Sequence, residues 1–424
     1  MLNYKLLKKN INEIAKKLKK RGFILNIKLF KFMEEKRKKL YFDIEKNIQK
    51  KKIISNTIRK KNNLNILEIN NLKEKSKKIN YFILNKKKKL ESIKNKINSF
   101  LIQIPNLPDD NIPLTKNKKL VIYGKRPIFN FKIKDHINLC KKKGLDFSSG
   151  VKLASSKFVV IKDKIALLHR KLIQFMLDLH TKKHNYIELN VPYISNYSSL
   201  YNTGQLPKFE NDLFKISSKN IKKNNYYLIP TGEVPLTNLL SNKILLEKDL
   251  PLKFVSCTPC FRSEKLSYGQ DNKGLIRLHQ FDKVELVQIV KPEKSNNILE
   301  EITYHAEKVL KLLKLPYRKI LLCSNDIGFA ASKTYDLEVW FPSLKNYKEI
   351  SSCSNMLDFQ SKRMKTKYRI NNTKKTNFVH TLNASGLAIS RTLGAILENY
   401  QLSNGKIEIP KILQKKYMRG IKFI

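Results

Sequence analysis

The chain has 424 residues, 41% of them hydrophobic, so it is long enough for two or three domains with proper cores. Its 86 Lys and Arg residues outnumber 35 Asp and Glu residues, and the formal net charge of +51 favours a polyanionic partner such as nucleic acid. The excess is nearly all Lys and accompanies abundant Asn and Ile, so drift of the genome toward A and T is a strong alternative explanation of the charge.

Several classes of protein are excluded at this stage. Five scattered cysteines do not make a disulfide framework, and they indicate a reducing, cytoplasmic setting. Cys257 and Cys260 form a lone CxxC without a second pair, so no zinc is expected. His180 and His184 lack the Glu of an HExxH motif and are interpreted as polar residues near a helix end. No run of 18 apolar residues exists and no targeting segment is recognised, so no membrane partner is expected.

The N-terminal third is predicted to be helical. An amphipathic pattern predicts one short helix over residues 4–20. Two long helical runs follow within residues 28–104, on either side of the polar break KKNNLN at 60–65. Eight of the ten a and d positions in the second run are apolar. A short turn then makes the runs an antiparallel coiled-coil arm about 50 Å long, at about 1.5 Å per residue.

The arm is strongly basic. Residues 28–104 hold 23 Lys and Arg residues against 7 Asp and Glu residues. A basic two-helix rod is suited to reading a phosphate backbone by shape and charge. The alternative is a coiled coil for self-assembly whose lysines are merely solvated.

A domain boundary follows the arm, because the prolines of IPNLPDDNIP at 104–113 break the helix. We therefore predict an N-terminal domain over 1–104, a linker over 105–115 and a second domain over 116–424. The second domain alternates short strands with helices near 164–184 and 297–314. This pattern predicts an α+β fold around a large antiparallel sheet flanked by helices.

Charged residues alternate along one predicted strand pair, in CFRSEKLSYGQDNKGLIRLHQFDKVELV at 260–287. Arg262 and Glu264 share one face of the first strand, since side chains alternate with period two. The corresponding face of the returning strand carries Arg277, His279, Phe281, Lys283 and Glu285. A solvated outer face is the ordinary explanation. A Phe among paired charges instead favours a ligand with anionic and cationic ends, such as a nucleotide with an amino acid.

Three further stretches carry candidate ligands. LIPTGEVPLTNL at 228–239 offers Thr231 and Glu233 beside a strand, and YKEISSCSN offers Glu349, Ser351 and Ser352. HTLNASGLAISRTLGAILENYQ at 380–401 predicts a strand, a turn of small residues and a helix. Its Arg391 lies in the first helical turn, where a cation opposes the helix dipole unless an anion such as phosphate lies between them.

Together these stretches resemble the three motifs of class II aminoacyl-tRNA synthetases. LYNTGQLPKF, TPCFRSE, SYG, GLIRLHQFDKVE, KTYDLEVW, EISSCSN and LENYQ, together with the basic arm, resemble the bacterial seryl-tRNA synthetases over the whole chain and in order. The resemblance implies the class II antiparallel sheet and a homodimeric serine–tRNA ligase. Such an enzyme forms seryl-adenylate from L-serine and ATP and transfers it to tRNA(Ser); tRNA(Sec) is a further candidate acceptor.

The resemblance also implies a role for each matching residue. Arg262 is expected on the α-phosphate, Glu264 near the adenine, Phe281 stacked on it, Arg277 on phosphate and Arg391 on the γ-phosphate. Further implied contacts to ATP are Ser263, Ile350 and Ser351, while Glu349 and Ser352 hold both ATP and Mg²⁺. Serine is expected to contact Thr231, Gly232, Glu233, Arg262, Glu285, Asn383 and Ser385, with Glu285 and Ser385 reading its hydroxyl. Pro192 resembles the motif 1 proline of the dimer interface, and the arm and motif 2 loop are the implied tRNA contacts.

The chain departs from the family pattern at five positions: Gly232, Gln270, Ala330, Ala384 and Ser390. Gln270 replaces a basic residue of the motif 2 loop and is expected to weaken a contact with the tRNA acceptor end. Ala384 is expected to add a methyl near the serine site, in a turn where a positive φ would favour glycine. These departures predict reduced stability or efficiency without loss of the reaction.

Two rival functions remain at this stage. One is a catalytically silent paralogue that only binds RNA or scaffolds a dimer, although a dead site has no need of buried charges. The other is a ligase that loads a different amino acid or a carrier protein, against which the basic arm argues.

Overall fold

The computed structural model describes residues 1–2, 4–60, 65–217, 225–264 and 273–424. They form two compact units, Leu2–Pro105 and Asn106–Ile424, the second including Met1. Within the described ranges, no helix is both long and apolar enough to cross a membrane.

The described residues of the N-terminal unit form four helices. They are α1 (Tyr4–Lys9), α2 (Ile11–Lys19), α3 (Ile27–Lys60) and α4 (Ile66–Ile102). The prediction of one helix over 4–20 is wrong, because the chain bends at Asn10, whose backbone lies at φ −126° and ψ 39°. Asn is a poor residue for a helix interior, since its side chain competes for backbone hydrogen bonds.

Helices α3 and α4 form the predicted antiparallel coiled-coil arm. The apolar seam of α4 is buried at Ile83, Leu90, Ile93 and Ile97, all a or d positions. Helix α4 starts with a capping box between its N-cap, Asn65, and Glu68.

Polar residues on the arm seam find partners on the opposite helix. Lys86 Nζ lies 2.8 Å from Asp43 Oδ2, and Lys51 Nζ donates to Asn80 Oδ1 at 2.9 Å. These two pairs run in opposite directions along the two helices, as antiparallel packing requires. Both lysines therefore interrupt the apolar seam with a hydrogen-bond partner across it, a carboxylate for Lys86 and an amide oxygen for Lys51.

The second unit is built around sheets with helices packed against them. The strands are β1 (Lys118–Tyr123), β2 (Leu145–Asp146), β3 (Val160–Ile161), β4 (Ile187–Glu188), β5 (Ile194–Asn196), β6 (Lys215–Ile216), β7 (Tyr226–Leu228), β8 (Ile244–Leu246), β9 (Leu252–Phe261), β10 (Gln280–Val290), β11 (Tyr317–Leu321), β12 (Lys333–Phe341), β13 (Asn346–Leu357), β14 (Lys367–Arg369), β15 (Thr376–Phe378) and β16 (His380–Ala388). The helices are α5 (His136–Cys140), α6 (Phe147–Leu153), α7 (Asp163–His184), α8 (Tyr197–Thr203), α9 (Glu233–Asn238), α10 (Ser295–Leu312), α11 (Phe359–Met364), α12 (Ile389–Asn399) and α13 (Lys411–Gln414).

The main sheet has eight strands in the order β1-β11-β12-β13-β16-β10-β9-β4, antiparallel except for the β4–β9 pair. On one face, Val284 and Leu286 of β10 share a core with Leu168 of α7, Val309 of α10 and Leu393 of α12. The helices thus cover this face, and the ligand candidates of β10 alternate onto the other. The predicted α+β fold around a large antiparallel sheet is confirmed.

Two details of the predicted hairpins differ. The returning strand starts at Gln280, and a 3₁₀ turn at Gly274–Ile276 precedes it, so Arg277 and His279 are not strand residues. The turn of small residues predicted before α12 is also wrong: β16 runs to Ala388 and α12 begins at Ile389. Apolar burial extends β16, since Leu387 and Ala388 are buried in the unit.

Candidate active site

The candidate residues converge on one pocket at the ends of β9, β10, β13 and β16, beside the start of α12. Its walls are formed by Gln205, Thr231, Glu233, Arg262, Glu264, Leu275, Ile276, Arg277, Leu278, Phe281, Lys283, Glu349, Ile350, Ser352, Asn383, Ser385, Ala388, Ser390 and Arg391. Most of the predicted ligands are among them, although they come from segments more than 150 residues apart.

One end of the pocket is cationic. Arg277 Nη1 lies 3.1 Å from Glu264 Oε2, and the Arg262 guanidinium lies over the Phe281 ring, 5.4 Å from its centroid. Arg391 donates from Nη1 to the Glu349 carbonyl oxygen at 2.7 Å. Burial, together with the charges of Arg262 and Arg277, lowers the pKa of Arg391. Three guanidinium groups in one pocket suit a polyphosphate.

The other end holds a buried ion pair. Lys283 Nζ contacts the carboxylate of Glu285 and donates to Thr231 Oγ1 at 2.8 Å. Asn383 Nδ2 donates to Glu285 Oε1 at 3.2 Å. Because Lys283 and Glu285 are buried, a solvated outer face for these charges is excluded. Lys283 alternates with Phe281 and Glu285 on the predicted face, but sequence reasoning did not assign it to the site.

A bulge in the sheet brings Glu285 opposite Ser385. The β10–β16 register pairs Val284 with Leu387 and then Glu285 with Ser385, which leaves Gly386 as the extra residue. A Cβ at Gly386 would lie 2.9 Å from His180 Nε2, so this close approach requires glycine. The two residues predicted to read a hydroxyl are therefore direct cross-strand neighbours: Ser385 lines the pocket, and the fully buried Glu285 lies behind it, in contact with the lining residue Lys283.

Glu233 is a second buried carboxyl at this end. Burial, and then the charge of Glu285, raises the pKa of Glu233 to about 7. Gln360 Nε2 donates to Glu233 Oε1 at 2.6 Å, and its own Oε1 accepts from Thr381 Oγ1 at 2.7 Å. Sequence reasoning missed Gln360, which follows the stretch quoted for Glu349 by five residues and carries no motif signal of its own.

A third carboxyl lies under the cationic end. Asp336 is the cross-strand partner of Ser352, and its buried Oδ1 has no hydrogen-bond partner. Burial, and then the charge of Glu349, raises the pKa of Asp336 well above its ordinary value. Sequence reasoning also missed this residue. Among the described residues, no group of three or more His, Cys, Asp or Glu side chains could hold a metal ion.

Several predicted residues support the pocket without lining it. Ser351 Oγ donates to the Ser385 carbonyl oxygen at 2.6 Å, and Ser263 Oγ donates to the Asn211 carbonyl oxygen at 2.8 Å. At Gly232, a Cβ would lie 3.1 Å from the Glu285 Cβ, which disfavours a larger residue here.

Three other positions that depart from the family pattern, Ala384, Ser390 and Ala330, have no positive φ. Ala384 is a buried residue within β16, so the expectation of a turn with positive φ at this position is wrong. Ser390 is buried in the first turn of α12, and Ala330 is buried beside Gly204. Gln270 lies outside the described residues. Pro192 is exposed, away from the pocket.

Comparison with known proteins identifies the class first. Residues 214–400 match the family described as tRNA synthetase class II core domain (G, H, P, S and T), in agreement with the sheet and its arginine pocket. Residues 1–108 match the seryl-tRNA synthetase N-terminal domain. A serine–tRNA ligase of Wigglesworthia glossinidia brevipalpis is 53% identical, and the alignment covers 100% of both chains. The chain belongs to the seryl-tRNA synthetase family.

Comparison with solved structures supports the same family. Seryl-tRNA synthetase from Pyrococcus horikoshii, complexed with ATP, superposes with a TM-score of 0.91 at 32% identity, covering 100% of this chain and 99% of that one. The cytoplasmic serine–tRNA ligase of Naegleria fowleri, in complex with AMP, gives 0.88 at 26% identity, with 98% and 96% coverage. The predicted family, fold class and reaction class, an ATP-dependent aminoacyl-tRNA ligase, are confirmed.

Proposed function

We propose that this pocket condenses L-serine with ATP to seryl-adenylate and that the chain then transfers the seryl group to the 3′-terminal ribose of tRNA(Ser). The observation that carries the proposal is the joining, in one pocket, of three guanidinium groups with the buried Lys283–Glu285 pair. The first suits a triphosphate, and the second suits a small amino acid with a polar side chain.

At the cationic end, Arg262 binds the α-phosphate, Arg277 a further phosphate and Arg391 the γ-phosphate. The adenine stacks on Phe281 beside Glu264, and the Arg262–Phe281 stacking supports this placement. Ser263, Ile350 and Ser351 complete the ATP site, the two serines by holding neighbouring backbone oxygens.

Glu349 and Ser352 are the candidate ligands of Mg²⁺ on the phosphates. The residues present fit this ion, because Mg²⁺ prefers oxygen ligands and the unpartnered Asp336 Oδ1 adds another beside Ser352. When bound, the ion would neutralise charge that develops on the phosphates.

At the other end, Thr231 and Glu233 hold the ammonium group of serine, with Gly232 leaving room between them and Glu285. Glu285 and Ser385 accept and orient the serine hydroxyl, Asn383 fixes Glu285, and Arg262 meets the carboxylate. Alanine would leave the buried Glu285 acceptor without its partner, so it should be rejected strongly.

The chemistry needs positioning rather than a general base. A serine carboxylate oxygen attacks the α-phosphorus in line, the bond to the bridging oxygen breaks, and pyrophosphate leaves. The arginines stabilise the charge spread over the phosphoryl oxygens. The terminal ribose hydroxyl of tRNA then attacks the seryl carbonyl and AMP leaves.

We further propose that the basic α3–α4 arm and the motif 2 loop contact tRNA, and that two copies pair through the segment that contains Pro192. The arm's charge supports the first point, and the exposure of Pro192 beside buried Val191 supports the second. The five cysteines are all free, which supports a cytoplasmic location.

Exchange of labelled pyrophosphate into ATP tests the proposal. It is measured with serine and, in separate reactions, with threonine, alanine or glycine in its place. Strong exchange with serine alone is expected. No exchange with any of the four would favour the catalytically silent paralogue. A stronger response to another amino acid would assign a different substrate. Charging of tRNA(Ser) and tRNA(Sec) transcripts then identifies the acceptor.

A further inference from the structure

A buried histidine–carboxylate pair lies next to the pocket wall, outside the residues assigned above. His136 Nδ1 lies 2.7 Å from Glu398 Oε1, with side chains 3% and 0% exposed. His136 opens α5 and Glu398 lies near the end of α12, so 262 positions of sequence separate them. Glu398 lies in the LENYQ stretch, for which the sequence assigned no role to this residue, and His136 lies outside the motifs that the sequence singled out.

Hydrogen bonds define the protonation of this pair. The Leu275 N–H donates to His136 Nε2 at 3.0 Å, so Nε2 carries no proton and the imidazole proton lies on Nδ1. That proton is donated to Glu398 Oε1, which also accepts from the His136 backbone N–H at 3.1 Å. Glu398 Oε2 accepts from the Ser343 N–H at 3.1 Å. The pair is thus fully bonded and acts as a rigid support.

The element it supports is the Gly274–Ile276 turn, which joins the motif 2 loop to β10. Gly274 has φ +63°, and a Cβ there would lie 2.3 Å from His136 Nε2, so only glycine fits against the imidazole. On its other side, Arg391 Nε donates to the Ile276 carbonyl oxygen at 2.9 Å. Helix α12 therefore holds this turn twice, directly through Arg391 and through Glu398 by way of His136.

We propose that His136 and Glu398 are positioning residues for the nucleotide, because they set the turn that places Leu275, Ile276 and the following Arg277 in the pocket wall. This inference rests on the function proposed above. The side chains that hydrogen-bond the backbone of the turn are those of His136 and Arg391, whereas the proposed serine ligands Glu285 and Ser385 lie on β10 and β16. The pair should therefore control ATP binding and leave serine binding nearly unchanged.

The test is steady-state pyrophosphate exchange by the full chain. His136→Phe should raise the KM for ATP about 10- to 100-fold through misplacement of the turn, with the KM for serine within about twofold of wild type. Glu398→Gln replaces a carboxylate oxygen with an NH₂ group, although the carboxylate accepts from three N–H donors of His136 and Ser343. This change should also raise the KM for ATP. His136→Gln, whose amide oxygen accepts from the Leu275 N–H, should restore most of the lost ATP affinity.

His305→Gln is the matched control, since His305 is a buried histidine of the same unit that does not line the pocket. The proposal is overturned if His136→Phe and Glu398→Gln keep the wild-type KM for ATP, if both KM values rise equally, or if the control behaves like them. His136→Gln and Glu398→Gln nearly preserve volume and cover the case in which His136→Phe does not fold. Absence of exchange in the wild type would overturn the proposed function instead, and calorimetric ATP binding by the same variants would then test the positioning role.

Discussion

At the scale of single residues, the pocket depends on charged side chains that are buried together with a partner of opposite charge. Lys283 and Glu285 are buried together, and each would be strongly unfavourable alone. Lys283 also donates to Thr231, one of the proposed ligands of the serine ammonium group. Its own ammonium group therefore lies in part of the site proposed for serine. The pair therefore links the stability of the pocket to its selectivity.

Glu285→Ala should lower kcat/KM for serine at least about 100-fold, because the serine hydroxyl loses its acceptor and Lys283 loses its counter-ion. The KM for ATP should change by less than about threefold, since the cationic end is intact. Pyrophosphate exchange with each substrate varied in turn measures both constants. Glu307→Ala is the control, since Glu307 is a buried carboxyl bonded to Tyr317 in the same unit. Equal damage to serine and ATP constants would contradict the role of Glu285.

Glu233 predicts a pH dependence. Its pKa of about 7 means that the carboxyl is protonated below neutrality in the free enzyme, whereas an ammonium ligand must be ionised. The kcat/KM for serine should therefore fall about tenfold per pH unit below 7 and level off above it. Exchange kinetics between pH 5.5 and 8.5 measure the profile.

Glu233→Gln should give a lower but flat profile over the same range, and an unchanged slope would assign the titration to another group. The effect on stability has its own sign. Because the folded pKa exceeds the ordinary value of 4.5, this carboxyl contributes stability that is complete below pH 4.5 and is lost as the pH rises through 7.

At the scale of elements, the arm and the sheet unit are separate compact bodies with separate proposed tasks. Replacing Ile27–Ile102 with a short linker should abolish serylation of tRNA, because the basic helices that meet the phosphate backbone are gone. Serine-dependent pyrophosphate exchange should stay within about threefold of wild type, since the pocket residues all lie in Asn106–Ile424. Loss of exchange as well would show that the domain boundary is misplaced.

Helices α7 and α10 meet in a histidine cluster that the sequence indicated only in part. His180 Nδ1 lies 3.0 Å from His184 Nδ1, and the rings of His184 and His305 stack with centroids 3.9 Å apart. Burial lowers the pKa of His180 to about 3 and of the other two to about 4. Lys253 and Lys308 near His184 act in the same direction, and Glu301 opposes them.

This cluster predicts acid sensitivity of folding. Because the folded pKa values lie below 6.5, the unfolded chain binds more protons between pH 6.5 and 4, and stability should fall as the pH falls through that window. Thermal unfolding at pH 7.5 and 5 measures the loss. His305→Gln removes one titrating group and should reduce the difference in Tm between the two pH values. A difference in Tm as large as in wild type would show that His305 does not contribute to the acid sensitivity.

At the scale of the whole molecule, the net charge of +51 exceeds what the arm contributes, since residues 28–104 carry only +16 of it. Charge spread over both units indicates compositional drift as a large contributor, and the proposed contact with tRNA needs only the basic residues of the arm.

The whole-molecule assembly gives a further prediction. Light scattering should give about twice the chain mass of 49.7 kDa if two copies pair through the Pro192 segment. Pro192→Asp should weaken pairing at least about tenfold, because it puts a charge into an apolar contact. Leu246→Asp, at a residue 49% exposed, is the control and should remain dimeric. A wild type that is monomeric at micromolar concentration would contradict the assembly.

The sequence by itself determined the arm, the succession of strands and helices, the family and most of the pocket ligands. Heptad spacing and period-two alternation are local properties of the sequence. They predict a helix or strand correctly wherever burial of one face of that element determines its pattern of apolar residues. The same local rules failed at Asn10, at the start of β10 and before α12, where backbone bends and tertiary burial set the ends of the elements.

The tertiary structure decided which of these residues meet. The pairing of Lys283 with Glu285, the buried Asp336, Gln360 beside Glu233 and the His136–Glu398 support were not assigned from sequence. Each depends on contacts between distant segments and on the exclusion of water around them. Such contacts shift protonation and fix orientation only after folding, and for that reason no spacing in the sequence signals them.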